Sequence, residues 1–265
     1  MERPDYIKIN RDSWNRKTDI HLNSDFYDNE NFIKGQSSLN TIELDLLGDV
    51  KGKTILHLQC HFGQDTISLS RLGAITTGVD LSDKAIVRAE ELALKCESSS
   101  KFICCDIYEL PNYLDEKFDL VFTSYGTIGW LPDMNKWAAV INNFLKPDGK
   151  LVFVEFHPVV WMFDNDFNKV KYNYFNTGPI VESMEGTYAE KDADLSQEYV
   201  MWNHGIAEVL TSLLENGLEI NSFSEYDYSP YDCFNETIKI EARKFRIEHL
   251  SNNIPMVYAI VAGKK

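Results

Sequence analysis

From Ser37 to His157 the chain alternates between two hydrophobic rhythms. Leu39, Ile42, Leu46 and Leu47 share a helical face, and Gly48 and Gly52 bracket a turn. Thr54-Ile55-Leu56-His57-Leu58 is then an apolar run of strand length. Ile67, Leu69 and Leu72 predict a helix ending at Gly73, and Ile75-Thr76-Thr77-Gly78-Val79 predicts a second strand closed by Asp80. Ser82 can cap the next helix, which carries Ala85, Ile86, Ala89, Leu92 and Ala93 on one face. Residues 101–104, 118–123 and 150–154 read as strands three to five. A helix over Trp137–Leu145 and a Lys146-Pro147-Asp148-Gly149 turn precede the fifth. Strands that alternate with helices imply βαβ units with right-handed crossovers. Nearly continuous apolar strands imply a sheet covered on both faces. The expected architecture is therefore α/β, a doubly wound, mostly parallel sheet.

The flanks follow other patterns. Residues 1–35 are polar with scattered rings at Tyr6, Trp14, Phe26, Tyr27 and Phe32. They predict an irregular or loosely helical arm, either a surface extension or a lid over a site. Residues 158–203 are polar and rich in aromatics, from Trp161 to Trp202. Ile206, Val209, Leu210, Leu213 and Leu214 then mark a helix stopping at Asn216-Gly217, and residues 218–226 and 256–261 read as late strands. The role of residues 227–254 stays open, and no internal repeat or low-complexity tract is visible.

Charge and cysteine usage narrow the function classes. Of 265 residues, 26 are Lys or Arg and 41 are Asp or Glu, a formal net charge of −15. No basic stripe offers to neutralise phosphates, so neither nucleic acid nor an anionic membrane surface is an expected partner. The five cysteines, Cys60, Cys96, Cys104, Cys105 and Cys233, have no framework spacing. The stretch Met1-Glu2-Arg3-Pro4-Asp5-Tyr6 lacks the apolar core of a signal peptide. A reduced, cytoplasmic protein is expected, with the choice between monomer and homodimer open.

In open α/β sheets, ligands bind beyond the carboxyl ends of the strands. Those positions hold Gln59-Cys60-His61-Phe62-Gly63-Gln64-Asp65, then Asp80, then Cys105-Asp106-Ile107, then Ser124-Tyr125-Gly126, then Glu155-Phe156-His157. An acid at Asp80 can take both hydroxyls of a ribose, and Asp106 lies one βαβ unit on, where an adenine amino group would fall. The first turn has a single glycine, against the three of a dinucleotide fingerprint. A pyrophosphate needs close backbone approach, which Gln59 and His61 impede, so a dehydrogenase ranks behind a ligand without phosphate. His57, Cys60 and His61, with Cys104 and Cys105 nearby, raise the question of zinc. The in-strand position of His57 and the lack of a Cys-x-x-Cys pair argue against it, and no metal is expected.

As a set these segments resemble the class I S-adenosylmethionine-dependent methyltransferases. Ile55-Leu56-His57-Leu58-Gln59-Cys60-His61-Phe62-Gly63 is similar to their first motif, and Gly78-Val79-Asp80-Leu81-Ser82 to the second. Cys105-Asp106-Ile107, Phe118–Ser124 and Leu145–Leu151 follow in the family's order across residues 50–156. The departures are His57, where the family usually has an acid, and Gln59 and His61, where it usually has glycines.

The resemblance implies a Rossmann-like methyltransferase fold with a seven-stranded sheet and S-adenosyl-L-methionine as cofactor. The chain is read as one domain: a 1–35 arm or lid, a 36–157 cofactor core, a 158–203 insertion on the substrate side after strand five, and a 204–265 closing helix and strands. Gln59, Cys60, His61, Gly63, Asp80, Leu81, Asp106, Ile107, Ser124 and Tyr125 are the expected cofactor contacts, with Trp14, His21 or Tyr27 as added contacts from the arm. Methyl transfer from a sulfonium asks mainly for proximity and orientation. The expected acceptor is an oxygen or nitrogen of a small molecule, facing a wall of rings that includes Tyr125, Trp130, Tyr226, Tyr228 and Tyr231. His157, just past strand five, is the candidate base, against a purely structural histidine; His204 is the second choice. The alternatives are a cofactor-binding protein without transferase activity and a protein methyltransferase, followed by the dehydrogenase.

Overall fold

The computed structural model describes residues 5–265. In chain order the elements are α1 (Tyr6–Leu22), α2 (Asn29–Ile33), α3 (Thr41–Leu47), β1 (Thr54–Leu58), α4 (Gln64–Arg71), β2 (Ile75–Asp80), α5 (Asp83–Lys95), β3 (Lys101–Cys104), β4 (Phe118–Ser124), α6 (Met134–Phe144), β5 (Leu145–Phe156), β6 (Ile180–Glu185), β7 (Ser196–Met201), α7 (Ile206–Glu215), β8 (Leu218–Tyr226), β9 (Thr237–Glu241), β10 (Lys244–Ile247) and β11 (Val257–Lys264). Seven strands form one sheet in the order β3-β2-β1-β4-β5-β11-β8. The first five are parallel, and β11 runs antiparallel to both neighbours.

Strand alternation sends successive side chains to opposite faces. Leu56, Leu58, Val121, Leu151 and Phe153 pack under α6 and α7 with Trp137, Ile141 and Leu213. Ile55, Leu120, Phe122 and Val152 pack on the other face with Leu47 of α3 and Leu69 of α4. The sheet is thus covered on both faces, as its apolar strands require. The expected turn at 146–149 bulges within β5: Phe118 pairs with Leu145 but Leu120 with Lys150. Strand order reverses between β1 and β4, which opens a crevice at their carboxyl ends.

The arm departs from expectation. Its described part is mostly the regular 17-residue helix α1, while residues 1–4 of the expected arm lie outside the described residues. The buried residues of α1 are Asn10, Ser13, Lys17, Thr18 and His21, a stripe of helical period made of polar groups. A reading of hydrophobic period alone does not register such a stripe as a buried face. Residues 227–254 hold the β9–β10 hairpin, and residues 158–203 hold the β6–β7 hairpin.

Helix α1 bridges the core and the β6–β7 hairpin. Toward the core, Asn15 Nδ2 donates to Asp83 Oδ1 at 2.8 Å, and Ser82 Oγ donates to Asn15 Oδ1 at 2.6 Å. Asp19 pairs with Lys84 and Arg88 of α5. Toward the hairpin, Asn10 Nδ2 donates to the Val200 carbonyl at 2.8 Å, and Asn10 Oδ1 accepts the Val200 N–H at 2.9 Å. Ser13 Oγ donates to Gln197 Oε1 at 3.1 Å. Asn10→Ala strips both Val200 groups of a buried partner and should cost roughly 1–3 kcal/mol, read as a lower midpoint in chemical denaturation. An unchanged midpoint would mean that the α1–hairpin seam adds nothing to stability.

Candidate active site

A cavity of about 660 Å³ lies at the carboxyl ends of β1 to β4, walled by α1 and the β6–β7 hairpin. That size suits a small-molecule site. All ten expected contact residues line it: Gln59, Cys60, His61, Gly63, Asp80, Leu81, Asp106, Ile107, Ser124 and Tyr125.

The turn after β1 is strained and tightly packed. Gln59 (φ 56°), His61 (φ 50°) and Gly63 (φ 82°) all have left-handed backbone. At Gly63 a Cβ would fall 2.7 Å from the Phe102 ring and 3.1 Å from Ala89 Cβ, so a larger residue is excluded by space as well as by φ. Gln59 Nε2 donates to the Thr127 carbonyl at 2.8 Å and so spans the crevice between β1 and β4. Its Oε1 is buried and has no donor among the described residues.

Asp80 ends β2 and is held from two sides. Oδ2 accepts the His61 N–H and Oδ1 the Ser82 N–H, each at 2.8 Å. Each oxygen keeps a lone-pair direction for a further donor, which is what a vicinal diol requires. Burial pushes this carboxyl up to about 6, against the pull of those N–H bonds. Asp106 caps the turn after β3 by accepting the Tyr108 N–H at 3.0 Å, and burial raises its carboxyl as well.

Past β4, the loop is fixed by Glu155 of β5. Its buried carboxylate accepts the Thr127 N–H at 2.7 Å, the Thr127 hydroxyl at 2.9 Å, the Ile128 N–H at 3.2 Å and the Gly126 N–H. This sets Tyr125 and Trp130 on the cavity wall. Tyr125 donates to Glu43 Oε2 at 3.0 Å, and burial raises the Glu43 carboxyl. Ser124 Oγ donates to Asp65 Oδ2 at 3.2 Å.

The arm contributes as a wall. Trp14 and Tyr27 line the cavity, whereas His21 does not. His21 Nδ1 instead shares a hydrogen bond with His61 Nε2 at 2.9 Å. Burial lowers His21 to about 2 and His61 to about 3, so both rings are neutral. His57 lies under the turn, bonded to Thr66 Oγ1 at 2.8 Å and lowered by burial to about 4. A neutral imidazole there cannot supply the charge of the acid it stands in for.

His157 requires a correction. It does not line the cavity. Its Nε2 meets Glu225 Oε1 of β8 at 2.9 Å, its Nδ1 accepts the Val159 N–H at 3.2 Å, and its own N–H donates to the Met256 carbonyl. Nε2 is engaged by β8 and Nδ1 by the chain just after β5, so neither ring nitrogen faces the cavity where a base is expected. His204 does line the cavity, but its Nε2 donates to the Leu131 carbonyl at 2.7 Å. Of the expected rings, Tyr125, Trp130 and Tyr231 line the cavity, while Tyr226 and Tyr228 do not. Lys17 is a cavity residue that strand-end reasoning missed; it comes from a helix whose placement depends on tertiary packing.

Comparisons with known proteins agree with this geometry. A family profile described as a methyltransferase domain matches residues 56–153. An uncharacterized protein of Haemophilus influenzae is 30% identical over 152 residues, covering 50% of this chain and 58% of its own length. The ubiquinone biosynthesis O-methyltransferase of Coxiella burnetii is 32% identical over 104 residues, 39% of this chain and 44% of its own. The chain thus spans about half the length of these curated relatives. Among solved structures, an S-adenosylmethionine-dependent methyltransferase of Mesorhizobium loti shares the fold with a TM-score of 0.57 at 19% identity, covering 88% of this chain and all of its own.

The donors and acceptors fit an adenosyl group: a fixed carboxylate for the ribose, a second acid one strand away, a buried orphan acceptor at Gln59, and ring walls. Diol recognition needs Asp80 ionised, and the histidines beside it stay neutral down to pH 5. Affinity for S-adenosylhomocysteine should therefore fall as pH drops through about 6. A calorimetric titration should find binding roughly tenfold weaker at pH 5 than at pH 7.5. A flat profile would remove Asp80 from the ribose site.

Proposed function

We propose that this chain, whose residues 56–153 match a methyltransferase-domain profile, is an S-adenosylmethionine-dependent methyltransferase of class I that methylates an oxygen or nitrogen of a small molecule. S-adenosyl-L-methionine, when bound, supplies an electrophilic methyl on a sulfonium. The observation that carries the reading is a walled cavity at the strand-order switch point with Asp80 fixed by two backbone N–H groups. Asp80 would hold the ribose hydroxyls and Asp106 the adenine amino group. Gln59 Oε1 would take the ammonium of the amino-acid end, in place of the absent acid at position 57.

The rest of the wall orients the acceptor and keeps water out. Trp14, Trp130, Tyr125, Tyr199 and Tyr231 line the cavity. Aromatic faces attract a sulfonium without competing as nucleophiles. Holding an acceptor near attack geometry supplies most of what this displacement needs. An acceptor proton can pass to Tyr125 as that hydroxyl donates to Glu43, a carboxyl whose affinity for protons burial has raised.

The cover formed by α1 and the β6–β7 hairpin favours a small acceptor over a protein side chain. The O-methyltransferase name of the Coxiella relative supports the same choice. S-adenosylhomocysteine should raise the melting temperature of the protein, and NAD should not. With labelled S-adenosylmethionine and a metabolite extract, label should enter the small-molecule fraction. Label in protein would make this a protein methyltransferase, stabilisation without transfer would leave a binding protein, and no stabilisation would end the adenosyl reading.

A further inference from the structure

Lys17 is 2% exposed, on the buried polar face of α1, and lines the cavity. Its ammonium stands 4.7 Å from the Trp14 ring centroid, 5.0 Å from that of Trp130 and 5.8 Å from that of Tyr199. No carboxylate pairs with it and no oxygen accepts from it among the described residues. Ring faces attract the charge, but they leave three N–H donors without acceptors.

The other cavity cations are occupied: Lys191 donates to the Phe234 carbonyl, and Arg243 to the carbonyls of residues 37–39. A buried, unpaired ammonium is costly unless something completes it. We propose that Lys17, in its box of Trp14, Trp130 and Tyr199, is the carboxylate receptor of this cavity.

Two carboxylates can reach such a site: that of the cofactor's amino-acid end and that of an acidic acceptor. The first rests on the adenosyl reading above. With adenine at Asp106 beyond β3 and ribose at Asp80 beyond β2, the remainder runs toward β1 and β4. Trp130, one wall of the box, lies just past β4, and Trp14, another, packs 5.2 Å from the His61 ring in the β1 turn. Burial also lowers Lys17 to about 8, so the charge is present at neutral pH and a bound carboxylate would reinforce it.

Titration calorimetry on wild type and Lys17→Met, with Lys17→Arg retaining the charge, decides the matter. The probes are S-adenosylhomocysteine, 5′-methylthioadenosine (a thioether nucleoside without the amino-acid end), and 3-phenylpropionate with and without S-adenosylhomocysteine. Loss of a charge-assisted pair should weaken S-adenosylhomocysteine at least about tenfold in Lys17→Met and leave methylthioadenosine unchanged. Phenylpropionate binding to wild type alone, with both nucleosides unaffected, assigns the receptor to the acceptor instead. Equal weakening of both nucleosides, or no difference for any probe, overturns the proposal. If wild type binds neither nucleoside, the adenosyl reading fails, and the phenylpropionate titration still decides Lys17. Should Lys17→Met not fold, the nitrogen NMR shift of Lys17 in wild type must move with a carboxylate probe and stay still with methylthioadenosine.

Discussion

A buried polar group needs a partner, and this molecule is organised around that rule because its covering helix buries a polar face. Helix α1 turns Asn10, Ser13, Lys17, Thr18 and His21 inward, over the ends of a sheet whose own core is apolar. Asn10 and Ser13 find partners in β7, and His21 finds one in His61 of the β1 turn. His61 in turn presents its backbone N–H to Asp80. A chain of hydrogen bonds thus runs from the hairpin through the helix to the carboxylate that anchors the proposed ribose site. Bonding capacity is left over at Gln59 Oε1, which lines the cavity, at the far ring nitrogens of His21 and His61, and at the Lys17 ammonium, which has ring faces beside it.

The sheet and its edge were legible because their physics is local. Apolar runs bounded by turns produced strands, and strand ends in a doubly wound sheet converge on one crevice. Asp80 and Asp106 could therefore be placed beside the same cavity without coordinates. The covering helix was legible only as an irregular or loosely helical arm, surface extension or lid, since a buried face made of Asn, Ser, Lys, Thr and His resembles a solvated one until the partners are known. His157 shows a second limit. It follows β5 as expected, but β5 has β4 on one side and β11 on the other. Chain order does not say which neighbour the ring joins, and it joins Glu225 beyond β11. Glu155, two residues earlier, turns toward the β4 loop.

The net charge of −15 also takes on a different meaning. Much of it lies on the surface, but Asp80, Asp106 and Asp65 line a cavity proposed to hold a cationic cofactor. Burial raises the Asp80 and Asp106 carboxyls, so their charge is sensitive to what occupies the space between them. Against these acids Lys17 is the cavity cation with no oxygen partner among the described residues, which gives the cavity a direction as well as a sign. The altered β1 turn is consistent with this arrangement. With His57 neutral and glycine kept only at Gly63, the proposed amino-acid end would depend on Gln59 and on the covering helix more than on the other groups of the turn.

The central claim is that Asp80 anchors an adenosyl ligand in this cavity. Titrating S-adenosylhomocysteine into wild type and Asp80→Ala at pH 7.5 tests it most directly. The account predicts saturable one-to-one binding to wild type and a loss of at least about tenfold in affinity in the variant, from two charge-assisted bonds removed. Equal affinity in the two proteins, or no binding to wild type, would contradict it.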